Sequence, residues 1–132
     1  PALGVLTINT LVASDGVIIP AQADLFSLQG VANLADMMAS IKANKKPKLA
    51  LLGVLLTRYN ERTAIRREFV RALDTLTTKL NTRVFQATLR ESVAVVEALA
   101  LGRALFEHAP TSNASKDYEE FFKELISLLE VM

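Results

Sequence analysis

The chain has no cysteine and no tryptophan, a single histidine, and five glycines among its 132 residues. Without cysteine, a disulfide-stabilised fold and a thiolate metal site are both excluded. His108 has no second histidine to work with, so neither a metal site nor a nucleophile is expected there. The glycines (Gly4, Gly16, Gly30, Gly53, Gly102) never form Gly-x-x-x-x-Gly-Lys-Ser/Thr, and none precedes a lysine. These residues therefore offer no glycine-rich cradle for a triphosphate, no lysine reaching into it and no hydroxyl for its magnesium ion. Alone, the chain is not expected to hydrolyse ATP. The longest apolar runs, such as Leu49 to Leu56, fall far short of the ~20 residues that cross a bilayer. No signal peptide is visible, although the first residue is Pro1 rather than Met. A cytoplasmic location is the default expectation.

What is present is an apolar half and a segregated charge. With 51% apolar residues, one domain of this length can build a core. The net charge of +1 hides three blocks: −3 over residues 1–41, +9 over 42–90 and −5 over 91–132. Twelve basic residues in the middle block face only Glu61, Glu68 and Asp74. Such a block marks either a polyanion-binding surface or a scattered solvated exterior. Around the arginines at 58–71 the only aromatic residues are Tyr59 and Phe69, so stacking on single-stranded bases is not suggested.

The hydrophobic pattern alternates between strand and helix. The opening residues read as a loop and a short apolar helix. Val17 to Pro20 is a brief apolar run after Asp15-Gly16 and fits a buried strand. Asp24 can cap a helix to about Ala43, with Leu25, Leu28, Val31, Leu34, Ala35, Met38 and Ile41 at spacings of three and four. Pro47 forbids its continuation. Leu49 to Thr57 reads as a strand covered on both faces, and Asn60 or Glu61 opens a helix to about Leu80. On that helix Arg67 and Arg71 fall opposite the stripe of Ile65, Phe69, Leu73, Leu76 and Leu80, with Arg66 on its flank. Arg83 to Thr88 is a third strand, Ser92 caps a helix that Gly102 ends, and Ser112 or Asn113 caps a last helix to about Leu129. In that last helix Phe121, Phe122, Leu125, Ile126, Leu128 and Leu129 are expected in the core, and Glu119 and Glu120 on a solvated face. This order predicts an α/β domain with a mostly parallel sheet. Three strands alone leave exposed edges, as in a piece whose other strands lie upstream.

Four segments also carry a family resemblance. Pro1-Ala2-Leu3-Gly4 through Leu6-Thr7-Ile8-Asn9-Thr10-Leu11, and then Ile19-Pro20-Ala21-Gln22, resembles the stretch after the second catalytic strand of ParA/Soj-type partitioning ATPases. Gly53-Val54-Leu55-Leu56-Thr57-Arg58-Tyr59-Asn60-Glu61-Arg62-Thr63 is similar to that family's Gly-Val-Leu-Leu-Thr-x-Tyr-Asp-x-Arg-Thr. Leu89 to Ala98 is similar to its Ile-Pro-Arg-Asn-Val-x-Leu-Ser-Glu-Ala, and His108 to Tyr118 to its Tyr/His-x-Pro-x-Ser-x-x-Ala-x-x-Tyr. The four lie in the family's order. The resemblance implies a P-loop NTPase (Rossmann-like) fold of which this is the carboxyl-terminal part, lacking the strand and phosphate loop of the amino-terminal half.

It also implies sites. Pro1, Ala2, Leu3 and Gly4 would form the loop that senses nucleotide state, with Gly4 allowing close backbone approach or a positive φ. Thr57, Arg58, Leu89, Arg90, Glu91 and Ser92 would lie over the nucleotide base, at the carboxyl edge of the sheet where open α/β folds bind ligands. Here the chain departs from the pattern: the family's proline falls on Arg90, the arginine after it on Glu91 and a later arginine on Ala94. Arg62, Arg66, Arg67 and Arg71, with Lys45, Lys46 and Lys48, would bind duplex DNA without sequence preference, by neutralising phosphates. The parent would use ATP and Mg²⁺, form an ATP-bound homodimer, associate with the nucleoid and meet a ParB-like centromere-binding protein. The fragment itself is expected to hold no cofactor tightly.

A second reading keeps the fold without the enzyme: a truncated DNA-binding or dimerisation module. A MinD-like, membrane-attached variant is disfavoured, because residues 116–132 carry a charge of −3 where such proteins carry a basic amphipathic helix.

Overall fold

The computed structural model describes residues 4–59 and 64–132. Along the chain run α1 (Val5–Ala13), β1 (Gly16–Ala21), α2 (Leu25–Asn44), β2 (Ala50–Thr57), α3 (Ala64–Lys79), β3 (Val84–Leu89), α4 (Val93–Ala100), α5 (Leu105–His108) and α6 (Asn113–Val131). The strands form one parallel sheet in the order β1-β2-β3. The expected α/β fold with a parallel sheet is therefore the observed one.

Local chemistry sets most of the boundaries. The Asp24 carboxylate accepts from the Ser27 N–H at 2.7 Å and starts α2. Ser92 does the same for α4, accepting from Ala94, and Ser112 for α6, accepting from Ser115. Of the two caps proposed for α6, Ser112 is the one used. Gly102 takes φ +60°, a left-handed conformation that ends α4 at little cost for glycine. The start proposed for α3 at Asn60 or Glu61 lies outside the described residues. The single turn of α5 was not anticipated, since four residues are too few to show a helical period.

β2 alternates its buried side chains between two layers. Val54 and Leu56 face Val31 of α2 and Phe69 and Leu73 of α3, together with Ile19 and Ala21 of β1. Leu55 faces the opposite way, with Phe85 and Leu89 of β3 and Phe121 of α6. The Phe85 and Phe121 rings meet edge to face, 5.1 Å apart. Gly53 is required here, because a Cβ at that position would lie 2.7 Å from the Phe85 ring. A third cluster, Leu11, Met38, Ile41 and Leu49, joins α1 and α2 to the residue before β2.

Two expectations are corrected. On α6, Phe121 is buried and Leu125 and Leu128 are half-buried, whereas Phe122, Ile126 and Leu129 are exposed. A helix lying on a sheet turns one stripe towards it, and positions 121, 125 and 128 fill that stripe. Phe122 instead approaches Phe106 of α5, with ring centroids 6.3 Å apart. Leu25 also leaves the core: it opens α2 and is exposed, as is its neighbour Phe26.

Candidate nucleotide edge and basic faces

The parallel register brings the carboxyl ends of the strands together. Ala21 pairs with Leu56, and Thr57 with Leu89. The Tyr59 N–H then donates to the Leu89 carbonyl at 3.1 Å, holding the two exit loops side by side. The Thr57 hydroxyl reaches back towards the Ala21 carbonyl at 3.5 Å. All six residues expected over the base (Thr57, Arg58, Leu89, Arg90, Glu91 and Ser92) thus sit at one edge of the sheet.

Arg58 takes φ +50°, the left-handed region that residues with a Cβ enter at a cost. This turns its side chain across the gap, where its Nη2 donates to Glu91 Oε1 at 2.7 Å. Both side chains are well exposed, 60% and 71%, so water and salt screen the pair. Arg90 is held differently. Its backbone N–H and Nε both donate to Asp117 Oδ2 at 3.0 Å, and its Nη2 donates to Oδ1 at 2.7 Å. Asp117 lies on α6 with its side chain only 12% exposed. Burial pushes its carboxyl up, but the side-chain and backbone hydrogen bonds from Arg90, with the guanidinium charge, outweigh burial and hold it below the usual value. Successive residues of this loop are therefore tied to three elements: Arg90 to α6, Glu91 to the end of β2, and Ser92 to α4.

Of the four amino-terminal candidates, only Gly4 is among the described residues. Pro1, Ala2 and Leu3 lie outside the described residues. Gly4 caps α1 with φ −104°, and a Cβ there would meet open space. The positive φ envisaged for Gly4 is not adopted.

The basic candidates separate into two groups. Arg67 and Arg71 are exposed on α3, on the side away from buried Phe69 and Leu73, while Arg66 is half-buried. Arg62 lies outside the described residues. Lys45 and Lys48 are exposed in the turn before β2, but Lys46 is half-buried, with its Nζ 3.0 Å from Asp15 Oδ1. The arginines occupy the first half of α3, near the carboxyl edge of the sheet, and the lysines sit at its amino edge. An eight-residue strand, roughly 25 Å, separates the two groups. Phe69 is buried and offers no face to a base.

Glu124 escaped the sequence reading. Its Oε1 and Oε2 accept the successive N–H groups of Gln86 and Ala87, each at 3.0 Å. The β2–β3 register shifts between Val54 and Leu56, and this irregularity frees two neighbouring amides from the ladder. A carboxylate two turns after Asp117 supplies both acceptors. No local pattern distinguishes it from solvated Glu119 and Glu120. His108 Nε2 lies 3.1 Å from Glu97 Oε2, linking α5 to α4. Among the described residues, no three carboxylate or imidazole groups converge as a metal site would require. No helix among them is long and apolar enough to cross a membrane.

Comparison with known proteins places this arrangement. A family model described as an AAA domain matches residues 1–51. The chromosome-partitioning ATPase Soj of Thermus thermophilus is 34% identical over 130 residues, covering 98% of this chain and 51% of the relative. The chromosome partitioning protein ParA of Caulobacter vibrioides is 28% identical over 127 residues, covering 96% of this chain and 46% of that protein. The chain spans about half the length of the curated relatives it matches. Among solved structures, Cyanthece apo McdA superposes with a TM-score of 0.78 and 22% identity, covering 98% of this chain and 50% of that one. That likeness speaks to the fold.

Proposed function

Since the chain belongs to the ParA/Soj type, we propose that it supplies the nucleotide-base edge and a DNA-binding face to a partitioning ATPase. In this reading the whole protein binds ATP with Mg²⁺, dimerises around the nucleotides and associates with the nucleoid through duplex DNA. A ParB-like centromere-binding partner stimulates hydrolysis, and the outcome is segregation of a plasmid or chromosome. The observation that carries the reading is the 34% identity to a Soj partitioning ATPase along nearly the whole chain.

The described residues fit a nucleotide at its base end. Arg58 and Glu91 are exposed donor and acceptor groups where two parallel strands end, the chemistry that the edge of a heteroaromatic base requires. They do not fit a triphosphate or a magnesium ion: no acidic group of three converges, and no glycine-rich loop precedes a lysine. In the proposed protein, other residues hold those groups. ATP supplies a phosphoanhydride bond, and this chain's part is to receive the base and present cations to DNA. For the DNA face, Arg67 and Arg71 are the leading candidates, followed by Lys45 and Lys48. Lys46, paired with Asp15, is the weaker contributor.

The test is ATP turnover by the full-length protein, measured with and without duplex DNA and the centromere-binding partner. Turnover that both additions raise is the expected result. A protein that binds duplex DNA but neither binds nor hydrolyses ATP would be the non-enzymatic module instead.

A further inference from the structure

Asp117 does more at this edge than pair a charge. It accepts three hydrogen bonds, all from Arg90, and one of them comes from the backbone. Along the same stripe of α6, Phe121 packs edge-on against Phe85, and Glu124 holds the amides of Gln86 and Ala87. Positions 117, 121 and 124 follow the helical i, i+4, i+7 spacing. A single face of α6 therefore grips β3 from its irregular middle to the loop beyond its carboxyl end.

The backbone bond is the informative one. A guanidinium held by itself would leave the loop free to pivot about the Arg90 side chain. With the N–H held as well, the direction in which the chain leaves β3 is fixed, and with it the backbone of Glu91 and Ser92. The opposite tie, Glu91 to Arg58, joins two exposed side chains and contributes little fixation. Besides the Tyr59 bond to Leu89 and the Ser92 cap on α4, the loop thus takes a fixed point at Arg90 from α6.

We propose that Asp117 is a positioning residue for the nucleotide-base loop 89–92, acting through Arg90 and touching no nucleotide itself. The inference rests on the nucleotide site proposed above. Its test uses the full-length protein with Asp117→Ala and Asp117→Asn, the second keeping the side-chain shape should the first fail to fold. Binding of ATP is compared with binding of tripolyphosphate, which has the phosphates without the base. Amide exchange over residues 89–92 is followed without nucleotide.

Faster exchange in the loop, with ATP affinity down roughly tenfold and tripolyphosphate affinity unchanged, is the expected result. Equal losses for both ligands would mean general damage to the fold and overturn the proposal. So would unchanged ATP affinity in a variant that melts cooperatively. A wild-type protein that binds tripolyphosphate no less tightly than ATP would remove the base site, and both readings would fall. Wild-type preference for ATP that the variants retain would overturn only the role of Asp117.

Discussion

Helices α3 and α6 lie on opposite faces of the same sheet and both carry many charges, yet they use them in contrary ways. On α3, apolar Phe69 and Leu73 meet the sheet while Arg67 and Arg71 face water. On α6, carboxylates enter the contact itself: Asp117 takes the Arg90 amide and guanidinium, and Glu124 takes two amides of β3. A solvated charge remains available to a polyanion. A charge bonded to backbone becomes part of the scaffold. Counting charges by segment, +9 against −5, describes the first use and misses the second.

The largest effects should come from the apolar contacts that dock the two helices. Leu73→Ala on α3 should cost about 2–5 kcal/mol, and Phe121→Ala on α6 about 3–5 kcal/mol, both read from urea unfolding. If either substitution costs under about 1 kcal/mol, that helix is not held as described.

The next contrast concerns DNA. Arg67→Glu with Arg71→Glu should weaken duplex binding across sequences and flatten its logarithmic salt dependence by about two units of slope. Lys116→Glu with Lys123→Glu on α6 should leave both quantities near wild type. Equal losses from the two pairs would show that total charge matters and the α3 face does not.

Smaller again is the effect of uncovering the amides of β3. Glu124→Ala leaves the Gln86 and Ala87 N–H groups without their acceptor, at about 1–3 kcal/mol, with faster exchange confined to those two amides. Exchange that is unchanged there would remove Glu124 from the scaffold.

The smallest effects contrast the two ion pairs of the base loop. Asp117 has its folded pKa held below the ordinary value, so its stabilisation is present above that value and is lost as pH falls through the folded one. The advantage of wild type over Asp117→Asn should therefore persist at neutral pH and fade below about pH 4. Arg58→Ala should shift stability by no more than about 1 kcal/mol at any pH, since its partner Glu91 is exposed.

Much of the fold could be read from local sequence. The run Leu49–Thr57, the caps Asp24 and Ser92 and the stop at Gly102 each act within a few residues, so their chemistry is visible without a structure. The three strand ends and their loops followed from that order, and of the candidate site residues the six at 57–58 and 89–92 lie at one edge. Burial on α6 was harder. Phe121 and Phe122 are adjacent and chemically identical, and only the angle at which the helix meets β3 decides which is covered. The same holds for Lys45 and Lys46, which differ because Asp15 lies beside one of them.

By itself, the sequence determined the alternation of strand and helix, the resemblance to partitioning ATPases and the segregation of charge, because each depends on residue type and spacing along the chain. Tertiary structure alone decided that Asp117 and Glu124 bond to β3, that Arg58 bridges to Glu91, and that arginines and lysines of one basic block lie a strand's length apart. Those contacts join residues 27 to 38 positions apart, or separate near neighbours, and depend on how helices are laid across the sheet.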